Sequence, residues 1–295
     1  MFIILLSFIS FTGIINMEKN TLKLEEEIKS KLAKHNGNFA VAFRTIEENP
    51  ISLFLNENEI FHAASTMKTP VMIEVFKQAE SGKFNLTDSL EIKNEFKSIV
   101  DGSGFSLEIS RDGGEGLYDF IGKKKTISDL VYDMIIRSSN LATNIVIEFL
   151  DAKKVTQTMR EMGANTIQVL RGVEDMKAYN AGLSNTTTAK DLLAIYEKIA
   201  SGRAVSKSAS KKMTDILLDQ KYNSIIPALL PKSIKVAHKT GSISGVRHDS
   251  GIVILEDGNK YVLVLLSKNL EDPDGAVKTM AEVSKMIYEF VKHNN

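Results

Sequence analysis

Cysteine is absent from the 295-residue chain. That removes disulfides, thiolate metal sites, a cysteine nucleophile and a lipid-modified N-terminal cysteine together. An excess of charge of either sign is missing as well, since 37 lysines and arginines face 37 aspartates and glutamates. Without surplus positive charge, neither a nucleic-acid backbone nor an anionic lipid surface is expected as a partner. A small neutral or zwitterionic ligand fits better. The histidines, His35, His62, His238, His248 and His293, show no HExxH or comparable ligand spacing, so no metal is expected. The glycines of DGSGFSLEISRDGGEGLYDFIGKKK, residues 101–125, match neither GxGxxG nor a Walker pattern. That stretch reads as a loop or small hairpin, and no nucleotide or other cofactor is expected.

What is present is the composition of a soluble globular protein, 43% hydrophobic and 25% charged, with enough length for one large core or two smaller ones. The opening MFIILLSFISFTGIIN, residues 1–16, is apolar but shorter than the ~20 residues that span a bilayer. It reads as a signal segment, which implies export to a periplasm or the exterior and no stable span after processing; the alternative is a buried N-terminal helix or strand. No heptad or exposed apolar stripe demands an oligomer, so a monomer is expected.

Leu22, Leu24, Ile28 and Leu32 fall at near-helical spacing, and FAVAFRTIE then ISLFLN read as paired strands with a turn at Glu47 to Pro50. From Ser65 to about Gly202 the periodicity is mainly helical, with Ser128 as a candidate N-cap and Thr186 opening a later helix. VAHKT, SGIVILEDGNKYVLVLLSK and a closing helix follow, with Asp257-Gly258 as a hairpin signal. The predicted fold is α+β: an antiparallel sheet from residues 20–62 and 203–295, flanked by helices, with residues 63–202 as an all-helical lobe. The cleft between them is the default ligand site.

In FHAASTMKTP, Ser65 and Lys68 stand three apart at the start of a helical pattern, so both side chains share one face. A serine needs a base to attack, and a lysine serves only if burial or a second cation lowers its pKa. SxxK alone is weak, because Ser208 and Lys211 repeat it in a lysine-rich stretch that reads as a solvated helix face. The plain alternative for Ser65 is an N-cap beside a surface lysine. Two further triplets change the balance: Ser138-Ser139-Asn140 at a break between helical patterns, and Lys239-Thr240-Gly241 at the end of a strand pattern.

The order SxxK, SxN, KTG over essentially the whole mature chain resembles the superfamily of class A β-lactamases and penicillin-binding serine acyl-enzymes, as a divergent member. The resemblance implies Ser65 as nucleophile, Lys68 as its proton acceptor and Ser138 as the group that protonates the leaving nitrogen. Asn140 would hold the substrate amide and Lys68, while Lys239 and Thr240 would bind the substrate carboxylate. Gly241 would let the strand approach, and the Ser65 and Ser242 N–H groups would form the oxyanion hole. Glu174 would activate the deacylating water. The implied substrate is a β-lactam or related small acyl compound, hydrolysed through an acyl-serine; the alternative is a DD-carboxypeptidase-like, esterase-like or sensor-like protein that acylates and deacylates slowly or not at all.

Three departures from the family pattern stand out. Ala178 occupies the place of a water-holding asparagine, one extra residue separates Arg171 from Glu174, and Asn185 stands where an aspartate would pair with Arg171. A reshaped loop with an Arg171–Asn185 hydrogen bond is therefore expected. Ser139 replaces an aspartate frequent at that position, and Arg247 reads as a solvated loop residue or a substrate contact.

Overall fold

The computed structural model describes residues 2–294, with side chains from Met17 onward. The signal segment expected over residues 1–16 lies outside the residues whose side chains are described. The sheet has five strands: β1 (Asn38–Thr45), β2 (Ser52–Leu55), β3 (Lys235–Ile243), β4 (Val246–Ile254) and β5 (Lys260–Lys268). Their order is β2-β1-β5-β4-β3 and every pairing is antiparallel. The helices are α1 (Phe2–Leu32), α2 (Lys68–Glu80), α3 (Ile127–Ile136), α4 (Asn140–Leu150), α5 (Ala152–Glu161), α6 (Met176–Asn180), α7 (Ala189–Ala200), α8 (Lys207–Leu218) and α9 (Pro273–Asn294). Among the described residues no helix is long and apolar enough to cross a membrane.

Both faces of the sheet are covered, which is why its strands read as unbroken apolar runs instead of alternating with polar residues. Phe39, Val41 and Phe43 of β1, with Tyr261, Leu263 and Leu265 of β5, pack on Leu24, Ile28 and Leu32 of α1 and on Met280, Val283 and Ile287 of α9. The other face, with Ala40, Ala42, Val262, Val264 and Leu266, joins the helical core around Met72, Ile135, Val146 and Leu192. Each fully buried Leu, Ile or Val side chain contributes about 1.5–3 kcal/mol. Helix α7 lies against β1, β4 and β5 and α8 against β3, so the core runs without a break from helices to sheet.

The residues that begin two helices differ from those expected. Thr126, not Ser128, caps α3, its hydroxyl accepting a hydrogen bond from the Asp129 N–H. Ile127, 1% exposed, must be buried and pulls the first turn upstream. Thr188, not Thr186, caps α7 through the Asp191 N–H, because Thr186–Thr187 is spent pairing with Phe61–His62. The hairpin turn at Asp257-Gly258 forms, with Gly258 at φ +89°. The stretch expected as a glycine-rich loop divides in two: Phe96–Lys97 pairs with Gly104–Phe105 as a short hairpin, and 3₁₀ turns follow at Ile109–Arg111 and Glu115–Phe120.

The strand carrying Lys239 is held close to β4, where Gly251 faces His238. A Cβ on Gly251 would lie 2.5 Å from both the Ala237 carbonyl oxygen and the His238 Cβ. Gly251→Ala should therefore cost about 1–3 kcal/mol, measured as a lower urea midpoint with an unchanged slope.

Candidate active site

The segment that carries Ser65 is fixed at both ends. Phe61–His62 pairs with Thr187–Thr186, and the Ala63 N–H donates to the Asn185 carbonyl at 2.8 Å. The chain then passes through Ala64 at φ +45°, a left-handed conformation that costs a non-glycine residue about 1–3 kcal/mol. A 3₁₀ turn, Ala64–Met67, leads into α2, whose first turn contains Pro70, where a missing N–H does no harm. His62 Nδ1 takes the Ala64 N–H and the Ala63 carbonyl takes the Thr66 N–H, which leaves the Ser65 N–H to meet an anionic oxygen. Gly241 of β3 runs alongside; a Cβ there would stand 3.2 Å from the Ser65 nitrogen.

Behind Ser65 lie two lysines with no exposed surface, Lys68 and Lys239. Lys68 Nζ donates to the Ser138 carbonyl at 2.7 Å, to Ser138 Oγ at 3.1 Å and to Asn140 Oδ1 at 2.9 Å. Lys239 Nζ donates to the same Ser138 Oγ at 3.1 Å and to the Thr240 carbonyl at 2.9 Å. Burial pushes the Lys68 amine down to about 7, against the opposing charges of Asp112 and Glu174. Burial, then the charge of Lys68, pushes Lys239 well below its ordinary value. Ser65 Oγ takes no hydrogen bond among the described residues, and Lys68 turns toward Ser138 and Asn140.

What fixes Ser138 and Asn140 is a residue that the sequence reading passed over. Asp112 is 8% exposed. Its carboxylate accepts from the N–H groups of Gly114 (2.8 Å), Asn140 (2.9 Å) and Leu141 (2.7 Å), and from the Tyr118 hydroxyl (3.2 Å). It thus holds the N-terminus of α4, where a negative charge is favourable, while Ser139 caps the same helix through the Ala142 N–H. The two glycines after Asp112 are the sequence signal. A Cβ on Gly113 would fall 2.1 Å from the Arg137 carbonyl and one on Gly114 2.4 Å from the Ser139 Cβ. Ser138 itself sits at φ +57°.

The loop with Glu174 is closed at its neck by Gln168 and Thr186, which exchange backbone hydrogen bonds at 2.9 and 3.0 Å. Glu174, at φ +62°, accepts from Asn140 Nδ2 at 2.8 Å and so joins the Lys68 web. Ala178 is fully buried on α6 and offers no polar atom to a water. The expected Arg171–Asn185 bond exists in another form. Asn185 bonds the Arg171 backbone, Oδ1 from its N–H at 3.2 Å and Nδ2 to its carbonyl at 2.9 Å. The guanidinium donates to the carbonyls of Leu183 and Gly172 instead.

A cavity of about 620 Å³ opens between these parts, lined by Ser65, Asn140 and Glu174, by Ser242 and Ile243 of β3, and by loop residues such as Arg171. Arg247 bonds the carbonyls of Ile243 and Val246 within its own turn. His238 and His248 are buried, bonded to Asp249 and Asn223 and to Arg247 and the His62 carbonyl respectively. Lys211, the control, pairs with Asp215 on an exposed face. Among the described residues no cluster of His, Asp and Glu could hold a metal ion.

An SxxK helix and an SxN turn facing a KTG strand on this five-stranded antiparallel sheet define the β-lactamase and penicillin-binding serine superfamily. Residues 23–291 match the family described as "Beta-lactamase enzyme family", and the chain belongs to that family. Relatives include β-lactamase CARB-3 of Pseudomonas aeruginosa, 26% identical over 63% of this chain and 62% of its own. β-Lactamase VEB-1 of the same species is 23% identical over 92% and 89%. The chain thus spans about three fifths of the length of the first of these. Among solved structures, PBP-A is 26% identical with a TM-score of 0.77, covering 92% of this chain and 96% of its own. TLA-1 extended-spectrum β-lactamase, at 23% identity and a TM-score of 0.81 over 92% and 99%, shares the fold.

Asp112→Asn removes a charge that favours the Lys68 ammonium. If Lys68 serves Ser65 as base, the acid limb of adduct formation at Ser65 should then move to lower pH while the maximal rate falls about tenfold, both read by intact mass across pH.

Proposed function

We propose that this protein opens the amide of β-lactams through an ester on Ser65 and then hydrolyses that ester. The observation that carries the reading is the buried chain Lys68–Ser138–Lys239 beside Ser65. With its amine pushed down to about 7, Lys68 is neutral in an appreciable fraction of molecules at physiological pH and can take the Ser65 proton, directly or through a water. The hydroxyl oxygen adds to the lactam carbonyl, whose oxygen is stabilised by the Ser65 and Ser242 N–H groups. The C–N bond then breaks, and the nitrogen takes the Ser138 proton, which a neighbouring ammonium replaces. Lys239 and Thr240 hold the carboxylate of the lactam nucleus, and Asn140 holds the acyl amide.

Glu174 is the base for the second step: it takes a proton from water as the oxygen attacks the ester, the ester C–O bond breaks, and Ser65 leaves as the hydroxyl with the proton that Glu174 gives back. Its bond from Asn140 supports this role. Ala178 favours a second reading, a long-lived acyl-enzyme, because no side chain at that position steadies the water. A PBP-A mutant, 26% identical to this chain, forms an acyl-enzyme complex with penicillin G. Export, and action as a monomer, are proposals of the same kind.

A chromogenic cephalosporin followed by absorbance and intact mass separates the readings. Turnover with no lasting adduct is expected for hydrolysis, a stoichiometric adduct without turnover for trapping; neither, with Ser65→Ala indistinguishable from the parent, would sink both. Glu174→Gln should still form the adduct but release it about 10²–10⁴-fold more slowly. Acylation should fall about tenfold per pH unit below the Lys68 value, because the protonated amine accepts no proton; a flat profile from pH 5 to 8 (roughly the physiological range) would remove Lys68 as base.

A further inference from the structure

The loop wall of the Ser65 cavity holds a cation that the charge of Asp175 reaches only from beyond ion-pair distance. Arg171 is 6% exposed, and no carboxylate among the described residues comes within ion-pair distance of it. Asn185, across the loop neck, spends its amide on the Leu170 N–H and on the Arg171 backbone. The nearest carboxylates are committed elsewhere. Asp175 accepts from Ser98 Oγ, Ile99 N and Ala178 N, and Glu174 from Asn140. Two carbonyls, of Leu183 and Gly172, take Nε and Nη1 of Arg171, and Nη2 has no partner among the described residues. A buried guanidinium keeps its charge and gains most from a charged acceptor.

A second donor faces the same space. His62 Nδ1 accepts from the Ala64 N–H at 3.0 Å, which puts the ring proton on Nε2, and that nitrogen has no partner among the described residues. The ring stacks edge to face on Tyr179, with centroids 6.2 Å apart. Burial, then the charge of Arg171, lowers the basicity of His62, so the two groups sense each other. Both line the cavity that contains Ser65. A ligand esterified to Ser65 with its leaving nitrogen toward Ser138 would extend its acyl substituent to the opposite, loop side.

We propose that Arg171 and His62 form an anion-accepting subsite, and that the preferred substrate carries a carboxylate on the acyl side of the amide that Ser65 opens. This rests on the acyl-enzyme reading above and adds the substrate class. Two donors of fixed direction suit a planar carboxylate. Glu174 lines the same cavity and would repel an anion placed beside it.

The test uses the full chain and two penicillins that differ only by a carboxylate on the acyl group, with second-order acylation rates read by intact mass. The parent should favour the carboxylated compound by about tenfold or more. Arg171→Gln should abolish the preference and Arg171→Lys keep part of it. A parent without preference, or a preference intact in Arg171→Gln, overturns the subsite. Should Arg171→Gln not fold, His62→Phe is expected to cut the preference about threefold, and an unchanged ratio counts against the proposal. If neither penicillin esterifies Ser65, the acyl-enzyme reading fails and calorimetry with glutarate still decides the subsite. Binding to the parent that is lost on removing the Arg171 charge, or the His62 ring if that variant alone folds, supports it. Absent or undiminished binding refutes it.

Discussion

One hydroxyl, that of Ser138, lies between two buried amines, and the rest of the site depends on that arrangement. Lys68 comes from the first turn of α2, Lys239 from β3, and both donate to Ser138 Oγ at 3.1 Å. Removing two ammonium groups from water is costly, and a buried pair that shares one acceptor resolves the cost by holding a proton weakly. The fold sustains the arrangement because the surroundings are stable without it. The sheet is covered on both faces, α2 is sheathed in apolar side chains, and Asp112 pins the turn that carries Ser138 through backbone N–H groups. Strain is localised in the same place, with Ala64, Ser138 and Glu174 all at positive φ.

The glutamate loop follows a different logic. Its neck is tied by backbone pairing and by Asn185, whose neutral amide binds the Arg171 main chain. An aspartate there would present only acceptors and could not donate to the Arg171 carbonyl as Nδ2 does. The guanidinium is consequently left to carbonyls, and the cavity between the loop and Ser65 is roomy, at about 620 Å³. A roomy cavity with a cation in its wall and no water-steadying side chain at Ala178 ties two properties together. The features that weaken the case for fast hydrolysis are those that give the pocket its chemical character.

Much of the fold was legible because covered strands and amphipathic helices leave different apolar periods in a chain, 2 or unbroken against 3.6. The helix starts were less so. Thr126 and Ser128 are equally good caps in isolation, and only the need to bury Ile127 selects between them. Asp112 went unread for the same kind of reason: its partners, the Asn140 and Leu141 N–H groups, lie 28 and 29 residues away.

Local pattern in the chain is enough to single out candidates for a nucleophile and its helpers, since SxxK, SxN and KTG are short motifs whose spacing is set by local geometry, one helical turn or one strand step. Only the packing of distant segments sets which acceptors those amines meet, what anchors Ser138, and that Arg171 is buried with no carboxylate at ion-pair distance among the described residues. These are properties of long-range approach, in which desolvation and charge act through space between segments that have no local relation in the chain.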